Sequence, residues 1–323
     1  MPSSTSLAQA AAEAGEDVDA ALALVRELGH ALPLPGDGRT QCRWDTLSTT
    51  GRASLTVARV LEAHADALAI LAEAGQAAEV GATYGVFAAE AGDPLRAESD
   101  PSGVRLVGVK HWCSLGSRLD AALVTAQASG GRQLFHVDLR HPSVQPEPTA
   151  GWVARGLRSV TSTGLRFRDT PARPVGGIDW YLTRPGFSWG GIGVAACWHG
   201  GTLALRDQLL KRARPDQLGA LQAGNVDVAV HGAEVALAHA ATLIDSGRAH
   251  GAEGDILALR TRAMAAAAAD TVLAVVTRAL GPAPLAFDEE FARQVADLQL
   301  YVRQHHGERD LAALGAAAFG AER

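Results

Sequence analysis

The sequence predicts an α+β protein built in three consecutive parts, on the strength of two changes of hydrophobic period. Apolar residues recur at helical spacing from Asp17 to about Gly75. The period then drops to two between about Thr83 and Gly177, and long helical patterns return after the stretch YLTRPGFSWGGIG at 181–193. The expected organisation is an N-terminal helical domain (1–80), a middle antiparallel β domain (81–178) and a C-terminal four-helix bundle (179–323).

In the first part, Leu22, Val25 and Leu28 share one helical face, and so do Val57, Val60, His64, Leu68 and Leu71. LPLPGDGRT (32–40) separates the two runs, because its two prolines and two glycines cannot continue a helix. In the second part, Phe135, Val137 and Leu139 alternate with His136 and Asp138, and Leu165 and Phe167 alternate with Arg166 and Arg168. DPSG (100–103) has proline and glycine where a type I turn favours them. In the third part the pattern fits about four helices of roughly 20 residues each. Asp255 and Asp288 are candidate N-caps, and Gly247 and Gly281-Pro282 are candidate stops.

Composition narrows the classes of function. The chain has 323 residues, 47% of them hydrophobic and 20% charged, enough to bury a large core. A formal charge of -6 and the lack of any block of Lys or Arg speak against a general nucleic-acid or anionic-membrane surface, so small molecules or copies of the chain are the expected partners. Cys42, Cys113 and Cys197 are widely spaced, which disfavours a disulfide framework or a structural zinc site. That spacing, with an N-terminus lacking a basic start and an apolar run, leads to the expectation of a cytoplasmic protein. The apolar run 263–280 is interrupted by Asp270 and Thr271 and reads as a buried helix.

VGVKHWCSLGSRLDAALVTA (107–126) reads as two strands joined by a polar loop, with an indole, Trp112, two places before a hydroxyl, Ser114. By spacing alone this is equally a core aromatic followed by a turn residue. Together with YGVFAAEAG (84–92), YLTRPGFSWGGIGVAA (181–196) and the helix DEEFARQVADLQLYV (288–302), the stretch resembles the acyl-CoA dehydrogenase family of flavoproteins over nearly the whole chain. The resemblance implies FAD between the β domain and the bundle. It assigns Trp112 to the flavin ring and Ser114 to its N5 and O4 edge. Both roles are physically sensible, since a flat ring wants an aromatic wall and a redox-active edge wants fixed donors. Main-chain donors around Glu90, in the stretch AAEAG, would meet the flavin pyrimidine, while Ala89 and Ala91 replace the family's threonine and proline. Arg214 and Arg278 are the candidates for the flavin pyrophosphate; Arg278 is equally suited to a helix C-terminus.

The resemblance also exposes departures. The family's catalytic glutamate position aligns with Val302, which shares a helical face with Phe291, Val295 and Leu298, and SWGGIG (188–193) lacks the alternative carboxylate. Asp93-Pro94-Leu95 and Gly191 stand where contacts to a CoA arm belong, so the acyl substrate need not be a CoA ester. His305 and His306 in QHHGER are candidate replacements for the base, or residues of a solvated turn. His199 lies near the expected flavin region. Glu62 and Asp66 share a helical face with His64 off to the side, a poor geometry for a metal, and His231, Glu234 and His239 are scattered along a helix, so no metal is expected.

Three functions follow: an FAD-dependent oxidoreductase acting on an acyl-CoA or related acyl compound, a non-catalytic subunit or binding protein of the same fold, or a flavin monooxygenase using a histidine at 305–306. By resemblance the chain is expected to form a homo-oligomer.

Overall fold

The computed structural model describes residues 3–101 and 103–320. The N-terminal helices are α1 (Ser4–Ala14), α2 (Val18–Leu28), α3 (Thr40–Ala53) and α4 (Leu55–Glu73). Leu22, Val25 and Leu28 on α2, and Val57, Val60, His64 and Leu71 on α4, are buried. Ser54 caps α4 by accepting the Val57 N–H at 3.2 Å and donates its own hydroxyl to the Gly15 carbonyl at 2.7 Å, which ties the start of α4 to the end of α1.

The strands are β1 (Tyr84–Phe87), β2 (Arg96–Asp100), β3 (Gly103–Ser114), β4 (Ala121–Ala128), β5 (Gly131–Asp138), β6 (Val144–Pro146) and β7 (Ser162–Val175). They follow the order β1-β4-β2-β3-β7-β5, and β5 pairs back onto β4, so the sheet closes on itself. The pairings are antiparallel except β1 with β4 and the single bridge of β2 with β4, which are parallel. The parallel pair follows from the chain path: β1 enters directly from α4 and lies along the far edge of β4 instead of forming a hairpin. DPSG forms the β2–β3 connection, with Asp100 paired to Gly103; its Ser102 lies outside the described residues.

Two-residue alternation holds at Leu165 and Phe167 but fails at His136, which is only 6% exposed. Strands β4 and β5 are covered on both faces. One face packs with Phe87, Val124 and Phe135 in the larger core, and the other packs Leu123 and Leu134 against Ile70 and Leu71 of α4.

After α5 (Trp180–Thr183), the C-terminal part contains α6 (Pro185–Arg212), α7 (Gln217–Asp245), α8 (Gly251–Leu280), α9 (Pro282–Phe287), α10 (Glu289–Tyr301) and α11 (Glu308–Ala318). The long helices are not of equal length: α6, α7 and α8 have 28, 29 and 30 residues, whereas α10 has 13. Asp288 does cap α10, accepting the Phe291 N–H at 3.0 Å. Asp255 is not a cap: α8 begins a turn earlier, where the Gly254 N–H reaches the His250 carbonyl at 3.3 Å. Helix α8 is long and apolar enough by composition to cross a membrane, but Asp270 within it pairs with Arg303 and the helix packs along α6 and α7.

Helices α3 and α6 cross at Gly51 and Gly200. A Cβ on Gly200 would lie 2.2 Å from the Ser48 carbonyl oxygen, and one on Gly51 would lie 2.7 Å from that of Cys197. Glycine at both positions lets the backbones touch and seats the bundle directly on the N-terminal helices.

Candidate functional site

Strand β3 carries the aromatic wall of the site. Its register with β7 slips between Lys110 and Cys113, and Trp112 within that bulge has φ 60, a left-handed backbone that a bulky residue rarely adopts. Trp112 is 59% exposed, while the neighbouring Cys113 is buried. Burial pushes the Cys113 thiol up to about 12, which leaves it unreactive. Trp112 and Ser114 both line the cavity. Ser114 is the register partner of Ser162 on β7, and their hydroxyls are 2.8 Å apart. Ser162 Oγ is also within 3.1 Å of the Val160 carbonyl. With the one Ser162 proton donated to that carbonyl, Ser114 donates to Ser162 and accepts from Arg59.

The cavity has a volume of about 540 Å³, within the usual range for small-molecule sites. Ala88 and Ala89, just past β1, line one side, and Trp152, Leu157 and Val160 from the loop before β7 line another. Tyr181, Tyr301, Gln304 and His306 come from the C-terminal part. Helix α4 supplies Arg59, Glu62, Ala63 and Asp66, whose spacing places them on one face of a helix.

The polar groups of this face are tied to both neighbouring parts. Arg59 donates to Glu62 Oε2 at 2.9 Å and to Ser114 Oγ at 3.2 Å, and Tyr301 donates its hydroxyl to the same Glu62 oxygen at 3.3 Å. Burial raises the Glu62 carboxyl above its usual range, and Arg59 offsets this only in part. Asp66 is also raised by burial, against the pull of Arg184 and Arg43. Arg184 is held more closely by Glu73, at 2.6 Å, than by Asp66, at 3.9 Å.

Of the flavin-contact and catalytic residues expected from the sequence, Trp112, Ser114 and His306 line this cavity. His306 is exposed, with Nδ1 3.5 Å from Asp310. His305 points away from the cavity and lies edge-on to Trp198, with burial and Arg262 lowering its pKa. Glu90 is engaged within the β domain by Lys110 at 3.0 Å, Thr125 at 2.9 Å and Arg132 at 3.6 Å, so Ala88 and Ala89 face the cavity instead. Arg214, in the α6–α7 turn, and Arg278, in the last turn of α8, are exposed and line no part of the cavity. His199 is buried within α6, where desolvation lowers its pKa to about 4. Val302 is 1% exposed and belongs to the core. Among the described residues no group of three or more His, Cys, Asp or Glu is arranged to hold a metal.

The sequence reading weighed Glu62 and Asp66 only as metal ligands and passed over Arg59 and Tyr301. The available signal was Arg59, Glu62 and Asp66: charged residues at helical spacing on a largely apolar helix.

No family profile matches the chain, and no curated protein does either. Solved structures do match it. FMN-bound TdsC from Paenibacillus sp. A11-2 superposes with a TM-score of 0.81 at 14% identity, over 97% of this chain and 95% of that one. KijD3, in complex with FMN and dTDP-3-amino-2,3,6-trideoxy-4-keto-3-methyl-D-glucose, gives 0.80 at 18% identity over 99% and 92%. Butyryl-CoA dehydrogenase from Megasphaera elsdenii gives 0.74 at 17% identity over 87% and 82%. The chain has the fold of the acyl-CoA dehydrogenase-like proteins.

The loop that brings Trp152 and Leu157 to the cavity is docked on α10. The Leu157 N–H donates to Asp297 at 2.5 Å, and Gly156 lies so close to α10 that a Cβ there would be 1.9 Å from the Ala296 carbonyl oxygen. Burial raises the Asp297 carboxyl to about 6, against the opposing hydrogen bond from Leu157. The native chain therefore keeps a proton that the unfolded chain, titrating at about 4, has already lost. The associated stability is present at acid pH and is lost as pH rises through about 6. Asp297→Asn keeps the acceptor oxygen without the charge. Its melting temperature should fall less than that of the wild type between pH 4 and pH 6.5, and at pH 7 should equal or exceed it, as read by circular dichroism.

Proposed function

We propose that the cavity binds a flavin and that the protein is a flavin-dependent oxidoreductase acting on a small molecule. The observation that carries this reading is Trp112: a large apolar ring, 59% exposed, on a left-handed bulge at the cavity wall. An unfavourable backbone of this kind costs on the order of 1–3 kcal/mol and recurs at ligand sites. Ser114 and Ser162 put hydroxyls beside the indole, and Ala88 and Ala89 bring main chain close without bulky side chains. These groups suit a flat ring with one polar edge. A bound flavin would supply the electron-accepting and electron-donating centre. Neighbouring structures described as FMN-bound TdsC and as KijD3 with FMN support the reading.

FMN is the simpler occupant, since Arg214 and Arg278, the candidates for a pyrophosphate, lie outside the cavity; FAD would need them from a second copy of the chain. The test is direct. The purified protein should show flavin absorbance, or acquire it on incubation with FMN or FAD, and chromatography of the released nucleotide separates the two. Trp112→Ala should weaken flavin binding about tenfold or more, from the loss of stacking and burial. Its folding free energy should change by less than about 1 kcal/mol, because the indole is exposed, whereas Trp198→Ala in the core should cost about 3–5 kcal/mol. A colourless protein that FMN and FAD both fail to reconstitute would refute the proposal.

With Val302 in the core, proton transfer falls to other groups in the cavity. Glu62 is the better placed carboxylate: it lines the cavity, its pKa is raised by burial, and Arg59 and Tyr301 fix its orientation. The substrate is then not required to be a CoA ester, and Arg262 fills the space beside Gly191, donating to its carbonyl at 2.5 Å. A monooxygenase reading draws on one further observation, the exposed His306 at the cavity. If it holds, His306→Ala should reduce oxygen-dependent turnover at least tenfold with flavin still bound, while His305→Ala should not. Unchanged turnover in His306→Ala removes it, and a flavin-loaded protein inert to every acceptor would favour the non-catalytic alternative.

The partner proposed for the bundle is a second copy. Leu218, Leu221, Val228 and Val235, at 62%, 60%, 75% and 51% exposure, repeat at spacings of three and seven along α7. Light scattering should give an oligomer for the wild type and a smaller species for Val228→Asp; a wild-type monomer would contradict the proposal.

A further inference from the structure

The four cavity-lining residues of α4 give the site a direction. Arg59 bonds Ser114, at the end where the aromatic wall stands. Asp66 lies seven residues further on, about 10 Å along the helix axis. The Arg59, Glu62 and Asp66 side chains are 14%, 9% and 19% exposed, so this whole face is recessed and Asp66 marks its end away from the aromatic wall.

Each charge near this end except Asp66 has a hydrogen-bonded partner. Arg59 and Glu62 satisfy each other, Glu73 takes Arg184 and the Gly186 N–H, and Arg43 donates to the Pro33 carbonyl at 3.0 Å. Asp66 has only the 3.9 Å approach of Arg184 and, among the described residues, accepts no hydrogen bond. Helix α6 passes close to it: a Cβ on Gly190 would lie 2.7 Å from Asp66 Oδ1, so a larger residue there would force the carboxylate to shift. The carboxylate opens onto the cavity, so a ligand that fills this end and displaces solvent costs free energy unless it brings a donor of its own. Ala63 and Val86 make the neighbouring wall apolar, and Tyr181 adds a ring whose hydroxyl is engaged by Arg184.

We infer that Asp66 is a specificity-determining residue, and that the ligand of this cavity carries an N–H or O–H donor, an amino or hydroxyl group, at the end away from the aromatic wall. A purely hydrocarbon acyl tail does not meet that requirement. The inference deepens the oxidoreductase reading and rests on it for which end of the cavity faces the redox centre. A site built to hydrogen-bond a substrate group discriminates strongly against an analogue lacking it, because the buried acceptor is then left bare.

The test is calorimetric titration of the purified protein, at its measured flavin content, with 2-phenylethanol, 2-phenylethylamine and the isosteric propylbenzene. The wild type should bind the alcohol or the amine at least about tenfold more tightly than propylbenzene, the gain of one hydrogen bond to a carboxylate. Asp66→Leu should lose or reverse that preference. Asp66→Asn should keep the alcohol and weaken the amine if the natural group is cationic, and treat both alike if it is neutral. Gly190→Ala, which crowds the carboxylate without removing it, should also narrow the preference and guards against a folding defect peculiar to Asp66→Leu. Equal binding of propylbenzene, a preference that survives in Asp66→Leu, or no binding by any probe would overturn the inference. Because heat is measured and flavin content is determined separately, a protein without flavin that still discriminates would sink the oxidoreductase reading alone.

Discussion

One guanidinium joins the three parts of the chain. Arg59 stands on α4, bonds Ser114 at the end of β3, pairs with Glu62, and lies 6.0 Å from the centre of the Tyr301 ring in the bundle. Burial opposes its charge, but Glu62 and Tyr301 outweigh that and keep it protonated. Arginine suits the position because its planar fork can serve two acceptors at fixed angles while its face meets an aromatic ring. An ion pair so deeply placed adds little net stability of its own. Removing either member strands the other, so the pair fixes relative position more than it holds the fold together. The cavity exists where these three parts meet.

The site departs from relaxed backbone geometry at Trp112 and at Leu115, which has φ 54. Trp112 falls where β3 slips its register with β7 and Leu115 just past the strand end, and between them the indole faces the opening while Cys113 remains in the core. The surrounding structure over-determines this strain: the Leu115 N–H is held by the Thr161 carbonyl at 2.8 Å, and Gly116 closes the turn back onto Cys113 at 3.0 Å. The aromatic wall is therefore in position before any ligand arrives.

Much of the architecture was readable because it depends on short-range periodicity. The change from helical to two-residue spacing near Thr83 coincides with α4 giving way to β1, whereas the return to helix, expected after 181–193, comes earlier, at α5 and at α6 from Pro185. Trp112 and Ser114 could be paired because i and i+2 share a face of a regular strand. Where a feature depends on which elements meet, the pattern was silent. His136 was read as outward-facing, yet α4 covers that side of the sheet; Asp255 had the chemistry of a cap, but α8 had already begun. Glu62 and Asp66 looked like isolated acids on a helix, since nothing local reveals that this face of α4 meets the bundle and the sheet.

The sequence by itself determined the order of helical, β and helical parts, the absence of a carboxylate at position 302 and in 188–193, and the adjacency of an indole and a hydroxyl on β3. Each is a matter of residue identity or of spacing along one element. The tertiary structure decided that the acids of the cavity come from α4, that Arg59 bridges to Ser114, and that Arg214, Arg278, Glu90 and His305 stand outside the cavity. Those outcomes depend on how separate elements pack, and local propensity carries no information about distances between residues far apart in the chain.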